Sequence, residues 1–180
     1  MNQTEGRARF GDYETWYRIT GDLGSGKTPI VLLHGGPGAG HNYIDSYKLL
    51  ANDGRAVIHY DQLGCGNSTH LPDADPTFWT EQLFVDELEN LIDHLGIRAG
   101  FHVLGQSWGG MLGAEYAVRH PMGLKSLTIA NSPASMALWM SEAARQRSLM
   151  PQEIQDALNT HEATCDYDNP AYMSHPGRLH

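Results

Sequence analysis

Residues 101–120 read FHVLGQSWGGMLGAEYAVRH, and this stretch decides the fold. It opens on an apolar run, Phe101 to Leu104, short enough for a buried strand. It closes on a segment of helical character that ends before Pro121. Between them stands Gly105-Gln106-Ser107-Trp108-Gly109, a serine flanked two residues away on each side by glycine. A serine at a sharp strand-to-helix turn has strained backbone angles, so the residues two places away must be small. Such a turn lifts the hydroxyl above the sheet. The helix that starts there, with the backbone N–H of Trp108, favours negative charge on an oxygen bound beside it. Ser107 is therefore the candidate nucleophile and Trp108 a candidate oxyanion donor.

Working outward, strand and helix signals alternate. Residues 13–19 (YETWYRI) are aromatic and β-rich, and predict one arm of an N-terminal antiparallel pair. Ile30–Leu33 is a continuous apolar run, as a parallel strand buried on both faces requires. Residues 41–50 predict a short helix stopped near Asp53-Gly54, and 56–60 the next strand. Residues 81–95 give the clearest helix, with Phe84, Leu88, Leu91, Ile92 and Leu95 on one face, Thr80 as N-cap and Gly96 as stop. Leu124–Ala130 is a further strand. This order predicts an α/β fold with a mostly parallel, doubly wound sheet. After Ala130 no strand-like run remains. Residues 136–160 read as helix broken at Pro151, followed by a polar tail. The expected division is 1–132 for the core and 133–180 for a partial helical cap and tail.

Composition narrows the function classes. Apolar residues make up 41% and charged residues 18% of the 180, ordinary values for a globular chain with a real core. The net charge of −9 lacks the basic footprint of nucleic-acid binding. No apolar run reaches the length of a membrane span, and the polar residues 1–9 have no signal-peptide core, so the expected location is the cytoplasm. The two cysteines, Cys65 and Cys165, show neither metal nor disulfide spacing. No metal or organic cofactor is expected, and the expected ligand is a small substrate.

A second glycine motif, His34-Gly35-Gly36-Pro37-Gly38, follows the strand at Ile30–Leu33. A glycine loop there can bring its backbone against a substrate carbonyl, which makes Gly36 the candidate second oxyanion donor. Together, HGGPG at 34–38, DQLGCGNS at 61–68 and GQSWGG at 105–110 resemble the proline iminopeptidase family of serine α/β-hydrolases. The similarity is nearest the tricorn-interacting aminopeptidases and L-proline amide hydrolases. The resemblance implies release of N-terminal proline or other residues from short peptides or amides. It also implies a helical cap after the strand at Leu124–Ala130. Gly35 is a candidate substrate-binding residue, and Trp139, at the start of the cap, is a candidate either to line the acyl pocket or to pack within the cap.

Residues 21–28 (GDLGSGKT) satisfy a phosphate-binding loop pattern, yet Pro29 and a strand follow where such a loop must open a helix, so nucleotide binding is not expected. The 161–165 segment HEATC lacks the second histidine of a zinc helix. Cys65 reads as a small filler, and Asp61 as the residue that fixes the loop after it. A hydrolase of this fold needs an acid and then a histidine after the serine. Of the later histidines, His161 lies in the cap, while His175 and His180 lie in the tail. His120 stands roughly 20 Å along the elbow helix. The triad acid and base are therefore not found, and weak or absent activity is expected, with an ester-cleaving hydrolase or a non-catalytic chain as the alternatives. An open edge on the last strand is expected to favour self-association.

Overall fold

The structure, a computed structural model, describes residues 2–173. The chain forms two compact units that divide between Ser132 and Pro133. The first holds strands β1 (Gln3–Phe10), β2 (Tyr13–Thr20), β3 (Ile30–Leu33), β4 (Val57–Tyr60), β5 (Phe101–Gln106) and β6 (Leu124–Ala130) and helices α1 (Glu81–His94) and α2 (Trp108–Ala117). The second holds α3 (Met136–Ser148), α4 (Gln152–Ala163) and α5 (Pro170–Met173).

The six strands form one sheet in the order β1-β2-β4-β3-β5-β6. The β4-β3-β5-β6 part is parallel, and β2 joins it antiparallel to β4. β1 and β2 make a hairpin around Gly11-Asp12, with Phe10 opposite Tyr13 and Gly11 at φ 59°. β1 arises from a stretch too polar to signal a strand. It is an edge strand in which Ala8 alone is buried, so its partner fixes it rather than a core face. Gly6 lies beneath the Tyr17 ring, where a Cβ would meet the tyrosine hydroxyl at 2.4 Å.

β3 and β4 bury both faces, and alternate residues go to different cores. Val31, Leu33, Ile58 and Tyr60 pack with Leu88, Leu91 and Ile92 of α1 and with Leu112 and Tyr116 of α2. Ile30, Leu32 and Val57 pack on the other face with Ile44 and Ala51. Those last two belong to a run of 3-10 turns, Asn42–Asp53, where the sequence predicts a short helix. The run ends at Gly54, φ 94°, as expected from Asp53-Gly54. α1 starts at Thr80, whose hydroxyl accepts from the Leu83 amide at 3.2 Å, a cap worth about 1 kcal/mol. α2 stops at Ala117, three residues earlier than its sequence suggests, and His120 takes a left-handed φ of 52°.

The loop at 21–28 makes no phosphate cradle. It is a 3-10 turn, Leu23–Ser25, capped by Asp22, and the Lys27 ammonium is taken by the carbonyl of Asp53. β3 follows, where a nucleotide loop would open a helix. No helix among the described residues is long and apolar enough to cross a membrane.

Candidate active site

Ser107 sits between β5 and α2 at φ 53° and ψ −123°, outside the regions open to relaxed L-residues. Its amide donates to Ala130 of β6 at 3.0 Å, and its carbonyl accepts from Gly110 at 2.9 Å, which locks the turn. The glycines around it are obligatory by contact. A Cβ on Gly105 would meet the Gly109 carbonyl oxygen at 2.0 Å. One on Gly109 would meet the Leu33 carbonyl oxygen at 2.0 Å and that of His34 at 2.6 Å. One on Gly110 would meet Ser132 Cβ at 2.7 Å. The elbow is thus packed backbone on backbone against β3 and the loop beyond it.

That loop carries the second motif. At Gly35 a Cβ would stand 2.9 Å from Ser107 Cβ, so residues 34–38 pass directly beside the serine. Gly36 is at φ 116°, a conformation glycine adopts freely, and its peptide bond to Pro37 is cis. Among the described residues the backbone N–H groups of Gly36 and Trp108 have no hydrogen-bond acceptor, so both remain available to a ligand. Gly35 differs. Its N–H goes to the Tyr43 hydroxyl, and Tyr43 in turn donates to Gln106 Oε1. Gly35 therefore contributes space beside Ser107.

The 61–68 loop holds these parts together. Asp61 is fully buried, and its carboxylate accepts from the amides of His41 at 2.7 Å and Asn67 at 2.8 Å, with His41 Nδ1 at 2.8 Å. It fixes the loop after it, as its sequence position suggests, and also the one before the 3-10 run. Gln62 spans the two motifs. Its side chain accepts from the Trp108 indole at 2.9 Å and donates to the His34 carbonyl at 3.1 Å. Its backbone N–H donates to His34 Nε2 at 2.9 Å, so His34 carries its proton on Nδ1, toward the Gly35 carbonyl. Burial holds the His34 pKa below the usual histidine range, which keeps that tautomer neutral. Cys65 is buried beside His34, and burial pushes its thiol up to about 12, so it fills space and is no thiolate.

Beside the elbow lies a cavity of about 390 Å³, walled by Pro37, Gly38, Leu63, Trp79, Phe84 and Trp108. Trp79 lies over Gly64, and Phe84 meets the Trp108 ring edge-on at 5.8 Å. Within the first unit's described residues no histidine or carboxylate hydrogen-bonds the Ser107 hydroxyl. Trp139 belongs to the second unit. It is 41% exposed and lines a separate cavity of about 410 Å³ there, with Leu138, Glu142 and Gln146. His161 pairs with Asp166 at 3.1 Å in that unit, and His175 and His180 lie outside the described residues. No cluster of three or more His, Cys, Asp or Glu among the described residues could hold a metal.

A strained serine between strand and helix, on a parallel sheet, is matched by the family profile described as alpha/beta hydrolase fold, over residues 28–164. The chain belongs to the alpha/beta hydrolase family. Within this hydrolase family it is similar to the proline iminopeptidase of Lactobacillus helveticus, at 46% identity over 175 residues. That alignment covers 96% of this chain and 58% of the relative. It is also similar to the crystal structures of VinJ and of the proline iminopeptidase of Mycobacterium smegmatis, at 53% identity to each and TM-scores of 0.91 and 0.82. Both alignments cover 94% of this hydrolase chain and 57% of the other. The chain thus spans somewhat more than half the length of these relatives.

Sequence reasoning finds Ser107, Trp108, Gly35 and Gly36, and the structure brings all of them to one place. It misses Tyr43, Gln62 and Glu87. Tyr43 has no signal, because nothing in its spacing ties it to Gly35. Glu87 has one, since it lies three residues after Phe84 and four before Leu91, on the buried face of α1.

Proposed function

We propose that this chain carries the nucleophile and oxyanion-binding parts of a serine hydrolase of proline iminopeptidase type. Its substrates are short peptides or amides with an N-terminal proline or other residue, cleaved through an acyl-enzyme. Ser107 Oγ attacks the scissile carbonyl carbon, forming a C–O bond while the carbonyl electrons move onto its oxygen and the hydroxyl proton passes to water. The N–H groups of Trp108 and Gly36 receive that oxyanion. Collapse of the tetrahedral species breaks the C–N bond as the departing nitrogen takes a proton from water, and a second water then cleaves the acyl ester, releasing the amino acid and restoring the Ser107 hydroxyl. The observation that carries the reading is the strained Ser107 at φ 53° with the Cβ-less Gly35 beside it, in a chain 46% identical to a proline iminopeptidase. No base is assigned, because no described histidine of the first unit reaches the serine. A division of labour between core and helical cap, and a cytoplasmic location, belong to the same proposal. The free thiols of Cys65 and Cys165 suit a reducing compartment.

The test uses the 180-residue chain and its Ser107→Ala variant. Long incubation with a fluorophosphonate followed by peptide mapping should place a slowly formed adduct on Ser107 alone. Hydrolysis of proline p-nitroanilide should stand weakly above the uncatalysed rate, because loss of a triad member leaves about 10³–10⁴-fold over water. Labelling that survives Ser107→Ala, or turnover of p-nitrophenyl acetate with none of the anilide, would overturn the assignment.

A further inference from the structure

Glu87 is a buried carboxylate that the hydrolytic reading does not use. Its residue is 0% exposed in the middle of α1. Thr15 Oγ1 of β2 donates to Oε1 at 2.6 Å. The backbone N–H of Leu63 donates to it as well, at 3.0 Å to Oε1 and 3.2 Å to Oε2. No cation pairs with it among the described residues. The titratable groups that face it are Tyr60 of β4 and Cys65 of the following loop. Burial raises the pKa of both, so neither supplies a counter-charge. A glutamine could satisfy the same two donors without the cost of burying a charge. What an acid adds over a glutamine is a proton that comes and goes, and the reason for it lies in what its partners touch.

The partners of Leu63 supply that reason. Leu63 follows Gln62, whose amide side chain is the brace between the indole of Trp108 and the carbonyl of His34. These are the residues after the nucleophile and before the glycine loop. Leu63 also walls the cavity beside them, together with Trp108. We propose that Glu87 is a positioning residue for the oxyanion side of the site: its carboxylate holds Leu63, and through Gln62 sets the Trp108 indole and the His34 carbonyl. This rests on the reading of Ser107 as the nucleophile, but the coupling it asserts is structural and is measurable without turnover.

The carboxyl is pushed up to about 7, first by burial and against the pull of Thr15 and Leu63, so its protonation changes under ordinary conditions. The experiment follows ¹⁵N–¹H correlation spectra of the full chain from pH 5.5 to 8.5. The Trp108 indole resonance is assigned by its loss in Trp108→Phe, and the ¹³C signal of the Glu87 carboxyl is followed in the same series. The Glu87 carboxyl, the Leu63 amide and the Trp108 indole should shift together with one midpoint near 7. In Glu87→Gln that midpoint should vanish from Leu63 and Trp108 alike. A Trp108 resonance that stays still while Leu63 moves would overturn the proposal. So would one that still titrates in Glu87→Gln, since another group would then be the source. If Glu87→Gln does not fold, a wild-type Trp108 midpoint different from that of the carboxyl overturns it equally. Absence of hydrolysis in every variant would count against the nucleophile and leave this readout unaffected.

Discussion

Replacing Glu87 by glutamine should reshape the pH dependence of stability, by an amount that the burial of two groups predicts. Glu87 titrates near 7 in the folded chain against an ordinary 4.5, so the folded state holds its proton more tightly than the unfolded chain does. Its contribution is complete below pH 4.5 and is lost as pH rises through about 7. The interval of about 2.5 pH units, at about 1.4 kcal/mol each, gives a full loss of about 3.5 kcal/mol. His59 does the reverse. Burial lowers it from 6.5 to about 4, against the pull of the Ile44 carbonyl beside Nε2. Its stabilisation is complete above 6.5 and is lost as pH falls through about 4, again about 3.5 kcal/mol. Between pH 4.5 and 6.5 the two slopes oppose, and His34, lowered by burial, adds to the histidine side. Glu87→Gln removes only the falling limb, since glutamine mimics the protonated acid toward Leu63 and Thr15. In urea unfolding at pH 4.5, 6 and 7.5, the stability of the variant relative to wild type should therefore grow by about 3 kcal/mol across the series. An offset that is constant with pH would refute the reasoning, because it would mean that the buried carboxyl titrates no differently in the folded chain.

Further outcomes follow from the same geometry. Gly109→Ala should destabilise the chain by at least about 1–3 kcal/mol in urea unfolding, since its Cβ would meet the Leu33 carbonyl oxygen at 2.0 Å; a fully stable variant would mean the elbow is looser than drawn. The chain should give no saturable signal in a titration with fluorescent ATP and Mg²⁺, because Lys27 is held by the Asp53 carbonyl and a strand follows; binding lost in Lys27→Ala would show otherwise. β6 is an edge of the sheet and pairs on one side only among the described residues, with Ile129 53% exposed on it. Concentration-dependent association in sedimentation is expected, weakened by Ile129→Lys. A clean wild-type monomer at high concentration would contradict this.

What could be read from the sequence and what could not divides along a physical line. β3, β5 and α2 are legible because their constraint is local. A buried parallel strand must be continuously apolar, and a serine at a sharp turn must have glycine two places away. A Cβ on either glycine would meet, at 2.0 Å, backbone a few residues off or on the adjacent strand. β1 is illegible because an edge strand needs no apolar face, and its register comes from β2. The 3-10 run at Asn42–Asp53 is half legible, since Gly54 marks its end while the sequence does not separate 3-10 turns from a helix. α5 was hidden in a stretch whose composition reads as loop. Glu87 is the instructive case. The helical period that assigns Phe84, Leu88, Leu91 and Ile92 to the core assigns Glu87 to it by the same count. Counting only apolar residues discards that information. A carboxylate on the buried phase of a helix has to find donors, and here they come from Thr15 and Leu63, 72 and 24 residues away. The pattern announces the buried acid. Only the sheet order, which lays β2 beside β4 and so brings the loop after β4 under α1, says what that acid holds.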